Sequence, residues 1–278
     1  RIHTFIATSP IHMEYKLSNV DVKLYKKNGF VTPNIPVPES LLQKMKDGAN
    51  NVLKLNPNKS PEALINVHLE KNNPEKIKGD KNLLEICFHP FILDKVEQII
   101  GRNIIVWGVS LFCKPPKKGK AIPWHQDGYY WPIRPLATCT VWIALDEANI
   151  GNGCLKVIKG SHKKGILKHT TDNASKYALN QTLQKGVYDE SQAYNVELNE
   201  GQLSLHDIYL VHGSNENKSD KRRAGLVIRY MPTSSVFDRT VKKVKGTKGD
   251  SAPNYAARPI FLVRGLDVSG KNKYIKYY

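Results

Sequence analysis

The texture of the chain changes once, near residue 103, and that change governs what it can fold into. Beyond it, short runs of β-branched and aromatic residues alternate with Gly, Pro and Asn, at 104–113, 138–145, 155–158, 194–198, 202–206, 209–211 and 224–231. Such runs read as strands bounded by turns, and many short strands together imply a sandwich or barrel. The first hundred residues have helical spacing instead. Residues 17–28 stop at Gly29, a C-terminal breaker, and 41–53 follow Pro-Glu-Ser with Ser40 as the expected N-cap. Residues 92–100 are preceded by Pro90, suited to a first turn, and end at Gly101. The expected architecture is therefore mainly β with flanking helices, about 17–100 buttressing a barrel at about 103–235. Residues 171–193 are polar and read as a long loop or lid. The tail after Phe237 is irregular in pattern, although 260–263 is apolar enough to dock. Residues 1–12 (RIHTFIATSPIH) read as an appended remnant with a natural start at His12-Met13, which leaves 13–278 as one expected domain.

Composition narrows the partners. With 278 residues, 40% of them hydrophobic, the chain can bury a real core. No apolar run approaches the ~20 residues that span a bilayer, and no signal peptide is visible. Cys87, Cys113, Cys139 and Cys154 show no C-x-x-C pairing and sit in apolar runs. They read as small buried hydrophobes of a reducing cytoplasm rather than as a zinc site. The formal net charge is +17. Its lysines are scattered except near 114–120 and 242–248, without interleaved aromatics or a helix-turn-helix or zinc-finger pattern. A nucleic-acid partner is not expected; attraction of small anionic metabolites is the milder inference. The oligomeric state is not readable.

The chemistry concentrates after Trp124. On an extended segment His125 and Asp127 point to one side and can share a ligand. An imidazole and a carboxylate need one more histidine to complete the facial triad of non-haem iron oxygenases, which leaves positions on the metal open. H-x-D alone is a weak signal. His212, 85 residues on and opening a turn His212-Gly213-Ser214, is the best third ligand. His68 alternates with apolar neighbours, either as a satisfied half-buried residue or as a pocket wall, and His206 lies in a strand on the way to His212. Eleven residues past His212 comes Arg223, on a strand expected to run back beside it. A buried guanidinium needs an anion, and its planar fork suits a carboxylate. The distal carboxylate of a 2-oxo diacid is such an anion, with Ser214 as a further donor. Arg222 is a rival for that role, and Arg229 shares the face of Arg223. Gln126, Tyr129, Tyr130, Trp131, Arg134 and His68 are the candidate substrate-pocket residues.

The stretch 113–169, with its H-x-D, W-x-A, N-G-C-L-x-V-x-x-G-S-H, H-x-S and later Arg, closely resembles the phytanoyl-CoA dioxygenase family. The resemblance extends over about residues 18–235. It implies a double-stranded β-helix, a jelly-roll or cupin-like barrel, with Fe(II) held by His125, Asp127 and His212. It also implies 2-oxoglutarate at Arg223 and Ser214 with Trp142 lining that site, O2 as oxidant, and succinate and CO2 as co-products. The glycines at 151 and 153 and the turn Gly160-Ser161-His162 are then structural. Related halogenating members carry Gly or Ala at the Asp127 position, so the aspartate favours hydroxylation. The expected substrate is a small molecule, with an anionic metabolite preferred to a CoA ester. The alternative is a catalytically silent barrel of the same fold that binds a small ligand.

Overall fold

The structure is a computed structural model that describes residues 15–172, 176–179, 181–241 and 254–277. The segment 1–12 and the lysines near 242–248 lie outside the described residues.

Two antiparallel sheets face each other; strands and helices are numbered here in chain order. The larger sheet has the order β1 (Phe30–Val31), β11 (Leu203–Asp207), β6 (Cys139–Ala144), β13 (Arg223–Pro232), β3 (Ile104–Lys114) and β15 (Phe261–Arg264), with β2 (Leu64–Ile65) also on β3. The smaller has the order β10 (Ala193–Val196), β7 (Leu155–Ile158), β12 (His212–Ser214) and β4 (Ile122–His125). Two short hairpin-like pairs complete it: β8 (His169–Thr171) with β9 (Gln181–Leu183), and β5 (Ile133–Arg134) with β14 (Val236–Phe237). This is the double-stranded β-helix.

Side chains alternate across the pleat, and the large sheet uses the alternation to separate core from site. Val109 and Leu111 of β3, Val141 and Ile143 of β6, Leu205 of β11, and Leu226 and Ile228 of β13 join one buried cluster with the helices. The opposite parity carries Ser110, Thr140, Trp142, Ser204, His206, Arg223, Val227 and Arg229. Helices α1 (Asn19–Asn28), α2 (Glu39–Leu55), α3 (Lys81–Glu85) and α4 (Pro90–Ile100) supply the other half of that core, with Met45, Val52, Leu83 and Val96 at 0% exposure. Each such side chain contributes about 1.5–3 kcal/mol by leaving water.

Local signals explain most boundaries. Ser18 and Asp21 form a capping box on α1, and Gly29 ends it at φ 81° in the left-handed region. Helix α4 starts at Pro90, with the His89 ring accepting from the Phe91 N–H. Three expectations are corrected. Ser40 lies inside the first turn of α2, whose N-cap is Pro38 with no side-chain cap. Residues 209–211 are not a strand: the Asp207 carboxylate accepts the Tyr209 N–H in a turn, and pairing resumes at His212. The stretch 171–193 is not wholly a loop, since β9 and β10 start within it. The apolar 260–263 does dock, as β15 on the first residues of β3.

Candidate functional site

His212 and His125 are direct partners in the β12–β4 ladder, so two imidazoles separated by 87 residues face each other across one strand pair. Asp127 follows at the start of a short 3-10 turn, Asp127–Tyr130. Its Oδ1 lies 3.3 Å from Nε2 of His125 and 3.3 Å from Nε2 of His212. The three ligand atoms fall within 4.8 Å of one another.

The histidines are oriented from behind. Nδ1 of His125 lies 2.8 Å from the Pro123 carbonyl, and Nδ1 of His212 lies 2.8 Å from the Leu210 carbonyl. A carbonyl can only accept, so each Nδ1 carries the proton, which directs the Nε2 lone pair at the shared point. Two neutral imidazole nitrogens and a carboxylate oxygen fit the facial ligand set of a non-haem iron. Burial alone would raise the Asp127 carboxyl. The His212 charge and the neighbouring imidazoles of His125 and His206 outweigh burial and hold it well below the usual carboxylate range. Burial also lowers His212, but Asp127 more than compensates and raises it.

A pocket of about 710 Å³ opens over the triad. Arg223, Ser214, Trp142 and Lys114 line one part of it, and Ile122, Leu179, Val227 and Arg229 line others. Arg223 is 4% exposed and its Nε has no partner among the described residues. Its nearest hydrogen bond is a long one of 3.5 Å to the Phe112 carbonyl, while its guanidinium lies 5.3 Å from the Trp142 ring centre. Desolvation pushes it down to about 10. A buried cation this poorly satisfied fits the distal carboxylate of 2-oxoglutarate. Arg222, the rival, points away and forks onto Asp146 at 2.8 and 3.0 Å.

The residues proposed for the substrate are more scattered. Trp131 stacks near the Arg229 guanidinium, 5.4 Å from ring centre to Cζ. Gln126 is fully buried with its amide spent on the Gly165, Tyr209 and Leu167 backbone, so it braces the loop rather than lining the pocket. Tyr129 stacks on His169 at 4.2 Å and is 38% exposed. Arg134 is exposed and donates to the Trp131 and Ile133 carbonyls, which turns it away from the pocket. His68 is buried beside Phe261, away from the pocket, and burial with the Arg258 charge pushes it down to about 3. Tyr130 lies in the 3-10 turn, and its side chain is outside the described residues.

Three site residues carried no signal strong enough to single out from the sequence. His206 places Nε2 3.5 Å from Asp127 Oδ2, the oxygen not directed at the other two histidines, without a hydrogen bond to it. Lys114 is 2% exposed, donates to the Lys120 and Asn215 carbonyls at 2.6 Å, and is pushed to about 6 by burial and by Arg223. Glu62 stands at the same end of the pocket. Strand parity was the available clue for the first two: His206 alternates with Leu203 and Leu205, and Lys114 shares the face of Ser110 and Phe112.

Known proteins place this geometry. Residues 25–225 match the family model described as phytanoyl-CoA dioxygenase (PhyH). The peroxisomal phytanoyl-CoA dioxygenase of Homo sapiens is 29% identical over 247 residues, which cover 80% of this chain and 72% of that one. Among solved structures, an apo non-heme monooxygenase, ThoJ, superposes with a TM-score of 0.67 at 24% identity, covering 88% of this chain and 84% of that one. CytC3 with Fe(II) and alpha-ketoglutarate gives 0.64 at 22% identity, covering 94% of each. The two structures bear on the fold; the family model and the human relative bear on descent. The chain belongs to the phytanoyl-CoA dioxygenase family, and with it to the Fe(II)- and 2-oxoglutarate-dependent oxygenases.

Proposed function

We propose that the protein hydroxylates a small organic molecule, with release of succinate and CO2. One observation carries the reading: two imidazoles tethered through Nδ1 and one carboxylate converge beneath a pocket whose far wall holds a buried, unpaired guanidinium. Bound Fe(II), with 2-oxoglutarate and O2, supplies the oxidising chemistry.

The chain's own residues do the positioning. His125, Asp127 and His212 would hold the metal at the floor of the pocket. The His206 imidazole stands beside the second oxygen of Asp127 at 3.5 Å and would help to orient the carboxylate. Arg223 and Ser214 take the distal carboxylate of 2-oxoglutarate, and Trp142 walls it. Trp142 reaches that position because Gly225 has no side chain: a Cβ there would lie 2.2 Å from the indole. Ile122, Leu179 and Val227 give the substrate space an apolar wall that sheds water. Position 127 carries a carboxylate where halogenating relatives carry Gly or Ala, which supports hydroxylation.

The test is succinate formation from 2-oxoglutarate under air, with Fe(II) and a panel of small metabolites. At least one metabolite should stimulate succinate, and Asp127→Ala should reduce it to background. Succinate formation that survives Asp127→Ala would refute the proposal. Normal Fe(II) and 2-oxoglutarate binding without any turnover would favour a silent ligand-binding barrel instead.

A further inference from the structure

Strand β13 carries a second inward arginine that the co-substrate does not use. Arg223 and Arg229 stand six residues apart on the same face, so their Cα atoms are about 20 Å apart along the strand. Both line the pocket over the triad. A five-carbon diacid with one end on the metal and the other on Arg223 cannot also reach Arg229. The triad lies within the electrostatic reach of Arg229, since Asp127, His206 and His212 all feel its charge.

The setting of Arg229 is that of a cation prepared for an anion. It donates to Ser110 Oγ at 2.8 Å, and its guanidinium lies between the rings of Phe112 and Trp131 at 5.7 and 5.4 Å. No carboxylate within 4.0 Å pairs with it among the described residues. The acids nearby are committed. Glu75 is ion-paired with Arg258 at 3.2 Å, and both oxygens of Asp127 are directed at histidines. A metal on Asp127 would cancel much of the carboxylate field that favours Arg229. Arg229 is half-buried, where a cation without a carboxylate partner gains from an anion, and two aromatic faces with a hydroxyl position the fork for a planar or tetrahedral oxyanion.

We propose that Arg229 is the substrate's anchor and that the substrate is a small organic oxyanion, a carboxylate or a phosphorus oxyacid. Its head pairs with Arg229 while an apolar carbon lies against Val227 above the metal. This rests on the oxygenase reading and adds to it the class of substrate and the residue that selects it. Arg223 and Arg229 then divide the pocket: one cation per anion, on either side of the metal.

The experiment is calorimetric titration of butyrate, methylphosphonate and inorganic phosphate into protein already saturated with Ni(II) and 2-oxoglutarate. Failure of 2-oxoglutarate to saturate the Ni(II) protein would count against the oxygenase reading itself, before any test of Arg229. With that step satisfied, at least one anion should fill one site per chain. The Arg229→Gln variant should bind it at least about tenfold more weakly, with Arg229→Lys in between. Affinity for 2-oxoglutarate should change by less than about threefold in both variants, which a merely structural arginine would not guarantee. Preference for butyrate or for the phosphorus anions tells the two head groups apart. Equal binding to Arg229→Gln, or no saturable binding of any of the three to the loaded wild type, overturns the proposal.

Discussion

Asp127 stands among three imidazoles, and its two oxygens do different work. Oδ1 faces His125 and His212, whereas Oδ2 faces His206. The same cluster sets a pH dependence. His212 is raised above its ordinary 6.5 by Asp127, against the opposing effect of burial. In the metal-free protein this pairing contributes stability that is fully present below pH 6.5 and is lost as pH rises through the raised value. A metal needs the neutral imidazole, so binding in that window must expel a proton. Metal affinity should therefore rise with pH across the window. Weakly buffered titration near pH 6.5 should show about one proton released per metal, and no release would contradict the assignment. At this scale the site was half legible. The spacing of His125 and Asp127 and the turn after His212 carry their own signal. His206 carries only its strand parity, because the carboxylate beside it is 79 residues away and brought close only by the fold.

At the scale of elements, β13 joins the two ends of the pocket, and its inner face reads Arg223, Gly225, Val227, Arg229. Gly225 is the sensitive position. A methyl there would press 2.2 Å from Trp142 Cζ2, and the indole cannot yield without leaving the pocket wall. Gly225→Ala should cost about 1–3 kcal/mol of stability, as overpacking does. It should also weaken 2-oxoglutarate binding, measured by denaturant unfolding and by titration of 2-oxoglutarate. Unchanged values in both would show that Trp142 does not bear on the co-substrate. The strand pattern was largely readable, because alternation with apolar residues on one parity is a strong signal in β3, β6 and β13. It failed where side chains replaced the ladder. At 209–211 the apolar run mimics a strand, but the Asp207 carboxylate captures the Tyr209 N–H and forms a turn. Within 171–193 the polar composition hid β9, which pairs only with β8.

At the scale of the molecule, the C-terminal segment is tied in by one buried acid. Glu75 is 1% exposed at its side chain, accepts from Arg258 and the Asn254 N–H on one oxygen, and accepts from Asn66 on the other. Removing its charge leaves Arg258 buried and uncompensated, so Glu75→Gln should destabilise the protein by about 3–5 kcal/mol in urea unfolding. A loss below about 1 kcal/mol would show that the Glu75–Arg258 pair does not hold the C-terminal segment in place. No long-range pairing of this kind is visible in sequence, since 75 and 258 carry no common pattern. No helix among the described residues is long and apolar enough to cross a membrane. Anaerobic equilibrium dialysis of Fe(II) tests the metal centre most directly. The wild type should bind one Fe(II) per chain. His125→Ala, Asp127→Ala and His212→Ala should each abolish binding, while His206→Ala should retain it with affinity reduced about 10–100-fold. Undiminished binding in any of the three ligand variants would contradict the assignment.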